Sequence, residues 1–108
     1  MAGYVLIAAR DPWEGTESER VFELAESLAA ARDAVSLYLT ENGVLAARAQ
    51  AGEQFLSQLI EAGVKVYADP FALSERGISR ERVVDGVIVA PIERLVDLLA
   101  AGGPAMWF

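Results

Sequence analysis

Tyr4-Val5-Leu6-Ile7-Ala8-Ala9 is the stretch that decides the fold. A strand with one wet face alternates apolar and polar residues. A short unbroken apolar run closed by a polar loop is instead a strand buried on both faces, as in a parallel sheet covered by helices. The loop that closes it, Arg10 to Gly15, contains Pro12.

Outward from that run, the pattern alternates. Thr16 stands three residues before Glu19, the spacing of a capping box, so a helix starts there. Val21, Leu24, Ala25, Leu28 and Ala29 then recur every three or four residues, giving it one apolar stripe. Ala34 to Leu39 reads as a second strand, ended by Thr40-Glu41-Asn42-Gly43. A second helix is expected over Gly52 to Ala62, with Phe55, Leu56, Leu59 and Ile60 inward and Gly63 at its C′ position. Val64 to Ala68 is the third strand. Asp69-Pro70 follows, Asp suited to the N-cap and Pro to the first helical turn, opening a short helix to about Glu75 that Gly77 stops. Val84 to Ala90 reads as a fourth strand interrupted at Asp85-Gly86. Pro91 opens a helix through Leu99, closed by Gly102-Gly103, and the apolar tail from Ala105 to Phe108 is a candidate fifth strand. Strands alternating with helices specify an α/β fold, here a three-layer sandwich on a mainly parallel five-stranded sheet, with residues 1–108 as one domain.

Composition narrows the function. The 108 residues are 54% hydrophobic and 23% charged, enough for one packed core. Sixteen acids against nine bases give a net charge of −7, which argues against direct nucleic-acid binding and against anionic membrane surfaces. Cysteine and histidine are both absent. Disulfides, thiolate nucleophiles, Ser-His-Asp or Cys-His constellations, and zinc or iron–sulfur sites therefore fall away, and no cofactor, metal or catalytic residue is assigned. No 18-residue apolar run exists to span a bilayer. The N-terminal run lacks a basic segment before it and is expected to be the first strand of a cytoplasmic protein, not a signal peptide.

In parallel sheets, ligands gather where the strands end. The first such loop has one glycine, where phosphate-binding loops have several, and Asp11, Glu14, Glu17 and Glu19 crowd the helix start. A phosphate there meets repulsion. Asp11, Glu41 and Asp69 follow strands one to three, a placement that resembles a phospho-accepting receiver domain. The lysine such a domain needs after its last strand is missing, because the only lysine is Lys65. Either these acids hold a divalent cation, or Asp69 caps its helix while the other two are solvated. Arg76, Arg80 and Arg82 form the densest basic segment, but Asp69, Glu75 and Glu81 balance them, so a solvated segment with local ion pairs is expected. The candidate ligand or partner cleft is therefore Asp11, Trp13, Glu41, Asn42, Asp69, Phe71 and Arg76. Met106, Trp107 and Phe108 are the candidate oligomer interface.

The order of motifs also resembles the DsrE/DsrF/TusD sulfur-relay family, including YchN-like proteins. The matching stretches are Tyr4-Val5-Leu6-Ile7 with Pro12 in the loop after it, the first helix with Ala25 and Leu28-Ala29, and Glu41-Asn42-Gly43-Val44 after strand two. Phe55-Leu56 through Glu61-Ala62-Gly63-Val64 and then Leu73-Ser74-Glu75-Arg76-Gly77-Ile78 complete the match. The resemblance implies a DsrE/F-like sandwich assembled as a trimer or hexamer. Its sulfur-carrying members place a cysteine after strand three, eight residues before the glycine of the Arg-Gly pair, which falls here on Asp69. A second cysteine in some members falls on Ala72. Neither residue can carry a sulfane sulfur, which needs a polarisable thiolate.

Three readings remain. The first is a non-catalytic DsrE-like protein, partnered by itself or by a cysteine-bearing paralogue. The second is a small-ligand or divalent-cation module using the strand-end acids and Trp13. The third is an acid–base enzyme built on Asp69, Asp11 or Arg76.

Overall fold

The computed structural model describes residues 3–14 and 16–108, apart from the side chains of residues 16–18. The proposed capping box of Thr16 lies outside the described residues. Five strands, β1 (Tyr4–Ala8), β2 (Val35–Leu39), β3 (Lys65–Ala68), β4 (Ile88–Val89) and β5 (Ala105–Trp107), form one sheet in the order β4-β3-β2-β1-β5. Every pairing is parallel. The four α-helices are α1 (Thr16–Ala30), α2 (Glu53–Glu61), α3 (Pro70–Glu75) and α4 (Ile92–Ala100), and each falls within about a residue of its expected position.

The strand order dictates the layers. From β1 to β4 the chain steps one way across the sheet, so its right-handed crossovers put α1, α2 and α3 on one face; the reversed step to β5 puts α4 on the other. The core divides accordingly. Leu6, Leu37, Leu39 and Val66 point to the three-helix face with Val21, Ala25, Leu56 and Leu73, all buried. Each fully buried leucine there is worth roughly 2 kcal/mol in apolar burial. Val5, Ile7, Tyr38 and Tyr67 point to the other face, against Leu95 and Leu98 of α4. Tyr38 and Tyr67 stack at 6.5 Å, and the Arg94 guanidinium lies 5.6 Å from the Tyr67 ring centre.

Helix ends follow one chemistry. At Gly63 and Gly77 the chain turns left-handed (φ 100° and 67°), and paired bonds such as Gly63 N to Ile60 O and Val64 N to Leu59 O close the helix. The same motif ends α1, with Arg32 N bonded to Ala29 O and Asp33 N to Leu28 O, but the left-handed residue there is Arg32 (φ 67°).

The expected mainly parallel five-stranded sheet is found, and all the pairings among its strands are parallel. Two details differ from expectation. The fourth strand shrinks to Ile88–Val89, because Asp85-Gly86 makes a turn, with Gly86 at φ 93° and Val87 N bonded to Val84 O. Val84 instead bonds Ala47 O, and Val83 bridges Arg48 antiparallel. Finally, the polar end of strand two continues as a 3₁₀ helix over Glu41–Ala47, and a single 3₁₀ turn covers Arg80–Arg82.

Candidate functional site

The place where a doubly wound sheet usually binds ligands lies between β1 and β5, where the strand order reverses. Here that crevice is closed. Phe108 N bonds Ile7 O, Ala9 N bonds Phe108 O, and Thr40 N bonds Ala8 O. The cavity left among Ala8, Phe22, Gly43 and Phe108 is about 10 Å³, no more than one water needs. Gly43 makes this possible: a Cβ on it would stand 1.9 Å from Ala8 O, so only glycine lets the 3₁₀ helix cross the strand end. Glu41, two residues before, is left-handed at φ 47°.

The polar groups collect instead beyond β2 and β3. The register Leu39↔Ala68 sets Thr40 beside Asp69. Asp69 is the N-cap of α3, and both its carboxylate oxygens are engaged. Oδ1 accepts from Phe71 N at 3.0 Å, and Oδ2 accepts from the Thr40 hydroxyl at 3.0 Å. The arrangement favours the capping reading of Asp69 over the cation and general-base readings. Nearby, Arg76 Nε donates to Asn42 Oδ1 at 3.0 Å and Nη1 donates to Ala72 O at 3.2 Å, so its guanidinium is fixed from two sides. Phe71 is 69% exposed.

Asp11 and Trp13 belong to a different part of this edge. Asp11 Oδ1 accepts from Trp13 N at 2.9 Å within its own loop, and the half-exposed Trp13 ring meets Phe55 of α2 edge-on at 6.4 Å. The convergence of Asp11, Glu41 and Asp69 is not realised: among the described residues no three acids come together as a cation-holding group. The expected ion pairs of the basic segment are also missing, since Arg76, Arg80 and Arg82 make none among the described residues.

Beneath this edge lies Tyr38, fully buried, whose hydroxyl donates to Ala90 O at 2.9 Å and ties β2 to the entrance of α4. Burial first, then the carboxylates of Asp69 and Glu93, push its phenol up to about 12. Of the tail residues, Met106 and Trp107 lie exposed on edge strand β5, whereas Phe108 packs half-buried against this chain's own core. Sequence reasoning missed the buried Thr40, and Arg48 and Gln50. A hydroxyl or guanidinium in a loop carries no periodic signal. Only the pairing of β2 with β3, 29 residues apart, brings Thr40 to Asp69.

The YchN protein of E. coli has a similar structure, with a TM-score of 0.89 and 21% identity over 100% of both chains. A protein of unknown function from Methanobacterium thermoautotrophicum, MTH1491, superposes at a TM-score of 0.80 with 18% identity, covering 98% of this chain and 99% of the other. BT1422 of Bacteroides thetaiotaomicron, also of unknown function, gives 0.79 and 13%, covering 98% and 95%. These likenesses concern the fold. No curated protein matches the chain in sequence. The DsrE/DsrF-like family model, however, matches residues 3–108, the stretch that holds all five strands and the Asn42–Arg76 and Thr40–Asp69 pairs. The chain belongs to the DsrE/DsrF-like family.

Proposed function

We propose that this protein is a non-catalytic, oligomeric DsrE-like subunit of the cytoplasm, associated with sulfur-relay proteins and unable to carry persulfide itself. The observation that carries this reading is Asp69. It occupies the position that the family resemblance gives to the sulfur-carrying cysteine, and both its oxygens are engaged in holding Thr40 and the start of α3. The chain has no cysteine elsewhere to take over that role.

Assembly draws support from the α4 face. One nine-residue helix covers that side of a five-stranded sheet. Ile92, Val96 and Leu99 recur at helical spacing and remain exposed, and the register Ile7↔Trp107 turns Trp107 to the same side. Such a stripe is what a subunit contact buries.

Native mass spectrometry and light scattering on the purified chain test the assembly. A trimer or hexamer is expected, and Val96→Asp, on a side chain 59% exposed, should convert it to a folded monomer. A wild-type monomer at micromolar concentration would overturn the homo-oligomer. For the relay association, the chain and a cysteine-bearing DsrE-like paralogue should co-elute as one defined complex; separate elution at micromolar concentration rejects it.

A further inference from the structure

The basic segment that balances to neutrality along the chain does not stay neutral once folded. A groove of about 510 Å³ opens between the Ala49–Ala51 turn and the end of α3, and Arg48, Arg76 and Arg82 all line it. No acidic side chain does so, in a chain with sixteen acids. Arg48 and Arg82 are brought together by backbone pairing: Ala49 N bonds Arg82 O at 2.6 Å, and Arg48 bridges Val83. Neither makes an ion pair or a side-chain hydrogen bond among the described residues. Arg76 is oriented by Asn42 and Ala72, which take two of its five N–H donors and leave three.

Two further features suit the groove to a ligand. Its wall at Gly77 carries no side chain, so a bound group can approach the backbone. Gln50, which also lines the groove, is left-handed at φ 76° in the third position of a turn closed by Ala51 N and Arg48 O, and adds a side-chain amide to the lining.

We propose that this groove binds a small multivalent oxyanion of the phosphate type, held by Arg48, Arg76 and Arg82. Planar guanidinium forks match tetrahedral oxyanions through paired, charge-assisted hydrogen bonds, and three of them more than offset the charge of a dianion. The groove's size falls in the range of small-molecule sites, with room beside a phosphate for an organic body. The net negative charge of the chain does not prevent this, because charges beyond a Debye length of about 10 Å are screened.

The probe is inorganic pyrophosphate, titrated at constant ionic strength into the full chain and followed by amide NMR. Saturable shifts at Gln50 and Gly77 are expected at millimolar concentration. Arg48→Gln with Arg82→Gln should weaken binding about tenfold or more. Arg80→Gln removes one positive charge outside the groove, matching Arg48→Gln alone, and should change affinity by less than about twofold. The dispersion of the same spectra reports whether each variant is folded, and Arg48→Gln alone decides if the double variant is not. Absence of a saturable shift overturns the proposal. So does an affinity that ignores Arg48 and Arg82, or one that falls equally with Arg80, which would mean attraction by net charge only.

Discussion

Raising the pH through the titration of Tyr38 should loosen this fold by a calculable amount. In the unfolded chain the phenol ionises near 10; in the native protein it is held up to about 12, by burial first and by Asp69 and Glu93 second. A raised folded value means that stability is fully present below about pH 10 and is lost as the pH climbs through about 12. Each unit is worth about 1.4 kcal/mol, so about 1.4 kcal/mol is gone by pH 11 and up to roughly 2.7 kcal/mol beyond pH 12. Tyr38→Phe isolates this effect. It removes the donor to Ala90 O, which should cost about 1–2 kcal/mol at neutral pH, yet it has no phenol to ionise. Every other titrating group is common to the two proteins and cancels in their difference. Urea unfolding followed by circular dichroism should therefore show the variant less stable at neutral pH and the two converging near pH 11. Phenolate absorbance should show a late ionisation in the wild type that is absent from Tyr38→Phe. If the difference stayed constant across this range, ionisation of the buried Tyr38 phenol could not be what weakens the fold at high pH.

Other perturbations follow from the backbone. Gly43→Ala would put a Cβ 1.9 Å from Ala8 O and should cost at least about 3 kcal/mol in urea unfolding, since backbone on both sides must move. Gly63→Ala meets no atom within 4 Å, so its loss should be near 1 kcal/mol and purely conformational. Arg32→Gly, at the same helix-ending position in α1, should raise stability by about 0.5–1 kcal/mol in the same assay. Thr40→Val keeps the shape but removes the donor to Asp69, and about 1–2 kcal/mol should go with it.

The contrast between Gly63 and Arg32 shows what a sequence can disclose. Both take the same left-handed turn, but glycine announces it and arginine does not. Strands β1 to β3 were readable because burial on both faces demands unbroken apolar runs, and Asp69-Pro70 because a cap and a helix start each have their own chemistry. The fourth strand was over-read for the same reason: Val84, Val87, Ile88 and Val89 are apolar enough to pair, and Gly86 turns the chain before they can. The site was legible only in part. Asn42 and Arg76 were identifiable separately as strand-end residues, but their bond spans 34 positions and exists only once β2 and β3 lie side by side. Arg48 joins the groove because Val83 bridges to it, a pairing no periodicity encodes.

The proposed structural role of Asp69, at the position where the family resemblance would put a sulfur-carrying cysteine, can be tested by substitution there. A carboxylate there satisfies an α3 amide and the buried Thr40 hydroxyl together; a thiol is a weak acceptor and serves neither well. Asp69→Cys should therefore lose the cap, about 1 kcal/mol, and leave Thr40 poorly paired, for about 2–3 kcal/mol in all. Asp69→Asn has an acceptor for Phe71 N and an amide that can donate to the Thr40 oxygen, so it should cost under about 1 kcal/mol. Urea unfolding of the two variants against wild type gives the order Asp, Asn, Cys. A cysteine variant as stable as the wild type would mean that the two hydrogen bonds of the carboxylate add nothing to stability, and would overturn this reasoning. The predicted order would mean the reverse: Thr40 and α3 depend on the carboxylate, so that a thiol placed at this site weakens the fold.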